Sequence, residues 1–455
     1  MEQIARVGSS AHVAVWLLSA SSVLAYHTAY ATEPEELIEV VVTGTRLSSV
    51  NASNPSPVVV LDNEELLHQG TTRVEDVLNS LPQVNSGLTL AANGPSVAPL
   101  TGTATADLRG IGAFRTLVLV NGKRAAPGDP INPSADLNTI PSALVKRVEV
   151  LTGGASAIYG SDAVSGVVNF ILDTTFTGLT VEAQGGIYRG SNNRADLQGI
   201  EQASGVNPKT GAIYDGGTAD VSVVFGKDLF GGNGHVTAYA SYRHVNEVTG
   251  SSRDFSGCTL IETGTSYGCL LDGTTAAGQF IPPGSSTPLT LDTANGHAFR
   301  PLTAPGDLFN PAPYQDLQRP DRLYNAGVFA SYKFNEAANL YSEAQYTDDK
   351  TTVRYEPSGT TATNAALNTF NVNCNNPLLS ASQVNDLCTS AGLGPTDTAA
   401  VAIGRRNIEG GQRSDEFHHQ SYRIVLGVKG EISEPWSYDG SVVHGRDARQ
   451  PRERA

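Results

Sequence analysis

The sequence predicts two unlike parts in tandem: a small mixed α/β domain over 55–175, then antiparallel β-strands laid out as in a membrane barrel over 176–445. Three observations predict this. Short apolar runs between glycines, with one helix-period segment, fill the first part. Alternation with a period of two fills the second. The connections between alternating segments are by turns very short and very long.

Composition narrows the function classes. At ~100–200 residues per domain, 455 residues leave room for roughly two to four domains, or one large sheet with an appendage. Charged residues make up 16% and Gly numbers 47, which excludes a charge-rich disordered chain. Thirty basic against 45 acidic residues give a net charge of −15, which argues against nucleic acid as a partner, since backbone binding needs a basic face. No run of 18 apolar residues exists, so a membrane-spanning helix is not expected. Membrane strands are apolar only at alternate positions, so the 40% apolar content is compatible with a barrel.

Residues 11–25 are mostly apolar, and Ala29-Tyr30-Ala31 has the small-x-small form of a signal-peptidase site. Residues 1–31 therefore read as a signal peptide, with a short buried helix as the other reading. In an oxidising compartment, Cys258 with Cys269 and Cys374 with Cys388 read as two local disulfides. Neither spacing is that of a zinc-ligand pair; buried thiols stay open.

Within the first part, Glu33 to Glu39 is acidic and Val40-Val41-Val42-Thr43 is an extended β-branched run. Val58 to Leu61 is strand-like. A helix follows with a capping box, Thr72-x-x-Glu75, and an apolar face of Val74, Val77, Leu78 and Leu81; Pro82 ends it. Leu117 to Val120 is a strand closed by Asn121-Gly122, a pair suited to a turn with two positive φ angles. Val145 to Leu151 is expected to alternate. The Gly- and Ala-rich run Gly153 to Gly166 implies close backbone approach before the strand Val167 to Leu172.

In the second part seven strands are expected, at about 178–189, 219–229, 234–248, 322–334, 339–353, 420–433 and 436–445. Tight turns at 230–233, 335–338 and 433–435 alternate with long connections, and both cysteine pairs fall in the two longest. Long loops on one side and short turns on the other is the layout of an outer-membrane barrel. A soluble β-sandwich with large loops is the alternative.

The run Asp107-Leu108-Arg109-Gly110-Ile111-Gly112, the segment Leu117 to Arg124, and Arg147-Val148-Glu149-Val150-Leu151 with its continuation from Gly153 to Asn169 closely resemble the plug domain of TonB-dependent outer-membrane receptors. Glu39-Val40-Val41-Val42-Thr43 resembles that family's TonB box. The resemblance covers 39 to about 175 by motif and the remainder by pattern. It implies a small mixed α/β plug domain followed by antiparallel transmembrane β-strands of a 22-stranded barrel. A scarce nutrient is bound at the outer surface and imported with energy from the proton-motive force.

It also implies partners: TonB at Glu39, Val40, Val41, Val42 and Thr43; outer-membrane lipid; and a small ligand such as a ferric siderophore, haem, cobalamin or an oligosaccharide. Plug and box would lie on the periplasmic side. No cofactor is implied. Arg109, Gly110, Asn121, Gly122, Arg147, Glu149, Gly153, Gly154, Tyr159, Gly160, Asp162, Gly166 and Asn169 would form the plug framework, locked against the barrel wall by polar and charged contacts. Residues 32–54 would be the periplasmic segment carrying the box, too short to hold an extra signalling domain.

Enzyme motifs are missing. Gly154-Ala155-Ser156-Ala157-Ile158 lacks the second Gly of a nucleophile elbow. No phosphate-binding G-x-x-x-x-G-K-[ST] occurs, and none of the nine His begins H-E-x-x-H. His418 and His419 are strand neighbours that point to opposite faces, so no metal site is expected there.

The strand count departs from the family. Closed bacterial barrels need an even number of at least ~8 strands and plugged transporters ~22. Seven strands read as an incomplete 22-stranded barrel, a truncated receptor in which alternation stops after about His444 and 446–455 forms an aberrant tail with four Arg. The alternative is a non-transporting fragment that acts only as a surface or periplasmic binding module.

Overall fold

A computed structural model describes residues 58–64, 73–85, 89, 101–128, 133–296, 298–362, 368–434 and 436–454. The expected signal peptide 1–31, the segment 32–54 and with it Glu39 to Thr43 lie outside the described residues.

The short apolar runs of the first part pair into a five-stranded mixed sheet, in spatial order Val58–Asp62, Val145–Leu151, Gly166–Leu172, Thr116–Val120 and Lys123–Arg124. Gly166–Leu172 and Thr116–Val120 run parallel and the other neighbours antiparallel. Val118, Val120, Val148, Val150, Val168 and Phe170 are buried on one face with the helix Val74–Asn79. Leu117, Leu119, Leu151 and Val167 are buried on the other, with Tyr159 and Ala163. Cover on both faces explains why Val148 to Leu151 are all buried where alternation was expected.

The helix starts at Val74 with Arg73 as its N-cap and no side-chain cap. Thr72 of the expected capping box lies outside the described residues, and Glu75 is buried. Its apolar face is as expected, with Val74, Val77 and Leu78 buried and Leu81 packed beside them. Asn121 (φ 51°) and Gly122 (φ 73°) form the two-residue turn, and Asn121 Oδ1 accepts from the Leu172 N–H at 2.9 Å.

The second part is a seven-stranded antiparallel meander, here called the wall: Gly178–Asn192, Gly211–Leu229, Gly234–Val245, Asp321–Asn335, Ala338–Tyr355, Arg413–Ser433 and Trp436–Arg454, in sequence order across the sheet. The strands run beyond the apolar alternation at the long-loop end, most clearly in the sixth, which begins at Arg413. The seventh continues to Arg454, with Asp447 opposite Ser421 and Gln450 opposite His418, so 446–454 is ladder rather than an aberrant tail. Backbone pairing continues where apolar side chains stop, because hydrogen-bonded ladders do not require them. The sheet is open, with the first and seventh strands at its edges.

Its polarity is inverted relative to a soluble sheet. Along the fifth strand Glu343, Gln345, Thr347, Asp349 and Thr351 are buried; along the sixth, His419, Ser421 and Arg423. The opposite face exposes Leu179 (66%), Val181, Val223, Phe225, Val328, Ile424, Leu426 (59%) and Val442 (74%). Tyr242, Tyr324, Tyr346 and Tyr422 bound this apolar face at one end, and Phe230, Tyr332, Phe334 and Trp436 at the other. Tyr324 and Phe334 are about ten residues apart, ~33 Å of strand at ~3.3 Å per residue. At a tilt of ~40° that is roughly 25 Å of depth, the height of the apolar band between aromatic girdles in membrane barrels.

The two longest connections, expected as loops, fold together. Gln279–Ile281 pairs with the strand Thr398–Arg406, joining the connections into one six-stranded sheet with its own core of Leu387, Cys388, Ala399 and Val401. Disulfides join Cys258 to Cys269 and Cys374 to Cys388, with Cα–Cα distances of 5.5 and 5.9 Å.

Candidate functional site

The framework residues hold the plug together from within. Arg147 Nε donates to Glu149 Oε1 at 2.8 Å, Asn169 Nδ2 reaches Glu149 Oε2 at 3.5 Å, and Asn169 Oδ1 accepts from the Gly122 N–H at 3.0 Å. This polar thread stitches three neighbouring strands of the plug sheet. Arg124 pairs with Asp162, donates to the Tyr159 carbonyl at 2.6 Å, and holds the Asp162 carboxyl below the usual carboxylate range. Arg109 (φ 63°) precedes Gly110 (φ 66°) and donates to the Val164 carbonyl at 3.2 Å. Gly153 and Gly154 lead into the short helix Ser156–Tyr159, which Gly160 ends. These bonds run within the plug.

The wall is met largely by residues outside the plug motif. Arg243 on the third strand donates to Asp321 Oδ2 on the fourth at 3.0 Å and to Asn138 Oδ1 of the plug at 2.9 Å. Asn138 Nδ2 donates in turn to Asp349 Oδ2 on the fifth at 3.1 Å. Asp136 orients this segment by accepting from the Ala104 and Asn138 N–H groups, each at 3.0 Å. His419 Nε2 lies 2.6 Å from the Thr101 carbonyl and its Nδ1 3.3 Å from Asp447 Oδ1. Its neighbour His418 instead pairs with Asp348 at 2.9 Å, so the two rings do take opposite faces.

The plug segment Thr101-Gly102-Thr103-Ala104-Thr105-Ala106 is buried throughout. A Cβ on Gly102 would come within 2.8 Å of Thr351 Cγ2 and 2.9 Å of Phe417 Cβ. Six consecutive residues no larger than threonine were a legible sign of such a close approach. Glu75 is nearby; burial pushes its carboxyl up to about 7, against the pull of Arg73 and Arg243.

At the short-turn end a cavity of about 1000 Å³ separates the plug turn Asn121–Arg124 from the wall. Lys123 reaches across it, 4.6 Å from the Tyr341 ring centre and 3.8 Å from Asp439. Among the described residues, no group of three or more His, Cys, Asp or Glu is gathered for a metal.

Residues 50–167 match the family model of the TonB-dependent receptor plug domain. The chain carries a TonB-dependent receptor plug domain. Solved structures similar to the chain include a mutant of the Pseudomonas aeruginosa ferric enterobactin receptor PfeA in complex with enterobactin, at 16% identity over 88% of this chain and 41% of that one, TM-score 0.42. BauA, the ferric preacinetobactin receptor of Acinetobacter baumannii, aligns at 12% identity over 88% of this chain and 48% of its own, TM-score 0.40. P. aeruginosa FpvA bound to heterologous pyoverdines aligns at 13% identity over 88% and 43%, TM-score 0.35. The chain spans less than half the length of each of these three.

The plug domain's family match ends at Val167, inside the strand Gly166–Leu172, close to where its compact sheet ends and the wall begins. The seam described above thus joins the plug domain to the concave polar face of a strand-built wall.

Proposed function

We propose that this chain forms the plug and the first strands of a TonB-dependent outer-membrane receptor, which takes up a scarce nutrient of siderophore or oligosaccharide type using the proton-motive force. One observation carries the reading: a plug domain packed on the polar face of a sheet whose other face is an exposed apolar band. In water that band would be an exposed hydrophobic surface; in a bilayer it is the solvent-facing side. The proposed organisation is a signal peptide at 1–31, the box-bearing segment at 32–54, the plug at 55–175 and wall from 176. The short turns and the box would face the periplasm, and the disulfide-clipped loops the exterior. Seven strands leave two unpaired edges, each unpaired group costing several kcal/mol in lipid, so transport requires further strands to complete the wall.

The energy would enter through Glu39, Val40, Val41, Val42 and Thr43, an extended β-branched run able to add as a strand to the sheet edge of TonB. Proline at position 41 removes a ladder N–H and fixes φ. Val41→Pro is expected to weaken capture of the full chain by the TonB C-terminal domain by about tenfold or more. Equal capture of Val41→Pro and wild type in a pull-down would remove the box from this account.

A further inference from the structure

At the long-loop end the outward face of the wall carries a row of basic side chains just beyond its tyrosines. His244, Arg322, Lys350 and His418 stand directly opposite one another on the third to sixth strands. Each is an even number of residues from a tyrosine that bounds the apolar face, Arg322 two from Tyr324 and Lys350 four from Tyr346, so the row shares that face. Arg446, exposed and opposite Tyr422, adds a cation at the level of the tyrosines.

The pair Arg322 and Lys350 lacks its counter-charge. Like charges directly opposite on neighbouring strands repel, yet among the described residues no carboxylate forms an ion pair with either. Two acids share the face. Asp348 is engaged by His418 at 2.9 Å and by Gln420 Nε2 at 2.8 Å, and Glu416 lies one row farther out, opposite Thr352. His244 Nε2 lies 3.0 Å from Asn246 Oδ1. Cβ atoms of a directly opposed pair are ~5 Å apart, so both cationic heads can close on one anion. A guanidinium fork suits two oxygens of a phosphate and an ammonium a third. Toward the middle of the wall the same face exposes Tyr324, Val328, Ile424 and Leu426, so an anion seated here has beside it an apolar surface that acyl chains would cover.

We propose that Arg322 and Lys350 seat the phosphate of a lipid headgroup at the long-loop rim of the apolar face, with Arg446 beside it and the acyl chains running down over Val328, Ile424 and Leu426. The anion removes the repulsion between the opposed cations and joins the fourth and fifth strands from outside. A lipid that binds the folded wall alone raises its thermal stability. This rests on the membrane reading above and adds to it the chemistry of one lipid, a phosphorylated one, on the outer side.

The test uses the purified full chain in a maltoside detergent, with lipid retention read by native mass spectrometry. Two probes are compared: diphosphorylated lipid A and the phosphate-free digalactosyldiacylglycerol. Wild type is expected to hold lipid A about tenfold more tightly, and to melt at a higher temperature with it. Arg322→Gln combined with Lys350→Gln is expected to bring lipid A down to the level of the galactolipid, whereas Lys333→Gln, at the short-turn end and paired with Glu336, keeps the preference. Equal retention of the two lipids by wild type, or an unchanged preference in the double variant, overturns the proposal while leaving the membrane reading intact. Displacement of lipid A by inorganic phosphate at matched concentration overturns it too, since the site would then be one for a free anion. Retention of neither lipid means that the membrane reading has failed and the proposal with it.

Discussion

Replacing Arg243 by methionine is expected to destabilise the protein by about 3–5 kcal/mol, the cost of leaving a buried carboxylate without its cation. The guanidinium binds Asp321 through Nε and Nη2 at 3.2 and 3.0 Å and Asn138 through Nη2 at 2.9 Å. One side chain thus ties two wall strands to the plug, and methionine fills much of the space while supplying no donor. Thermal unfolding and protease sensitivity of residues 73–175 should both register the loss. Arg243→Met combined with Asp321→Leu is expected to be less unstable than Arg243→Met alone, because removing both partners removes the stranded charge. A single variant that melts like wild type would mean that this bridge does not seat the plug.

Gly166→Ala is expected to cost about 3 kcal/mol or more. A Cβ there would stand 2.2 Å from the Leu151 carbonyl oxygen and 2.7 Å from Leu108 Cδ1, at a φ of +145° that side chains rarely adopt. Overpacking of ~1–3 kcal/mol adds to a conformational penalty of ~1–2 kcal/mol. The strand pair Leu151–Val167 would have to separate at the centre of the plug. Gly154→Ala is the control: its nearest neighbour is 3.9 Å away, and a change within about 0.5 kcal/mol is expected. Equal melting of the two variants would show that the glycine run is not a packing requirement.

Much of the architecture was legible because it is periodic. Leu179 and Val181, or Ile424, Leu426 and Val428, recur at every second position, and all seven wall strands followed from that period. The plug was legible for a different reason: Arg147 to Asn169 is a long and specific motif. The small sheet built from the two longest connections was not seen. Strands as short as Gln279–Ile281 carry too few residues for alternation to stand out, and their pairing with Thr398–Arg406 is set by contacts distant in sequence. The seam was missed because its chemistry divides between chain segments. Asn138, Arg243, Asp321 and Asp349 are each unremarkable surface-type residues in sequence, and only the meander brings them together.

The central claim is that the apolar face of the wall meets lipid while its polar face meets the plug. Single tryptophans at Val223, Ile424 or Ser241, in a Trp16→Phe, Trp436→Phe background reconstituted into vesicles with brominated acyl chains, test it directly. Strong quenching at 223 and 424 with little at 241 is the predicted result; equal quenching at all three, or none at the outward positions, would contradict it.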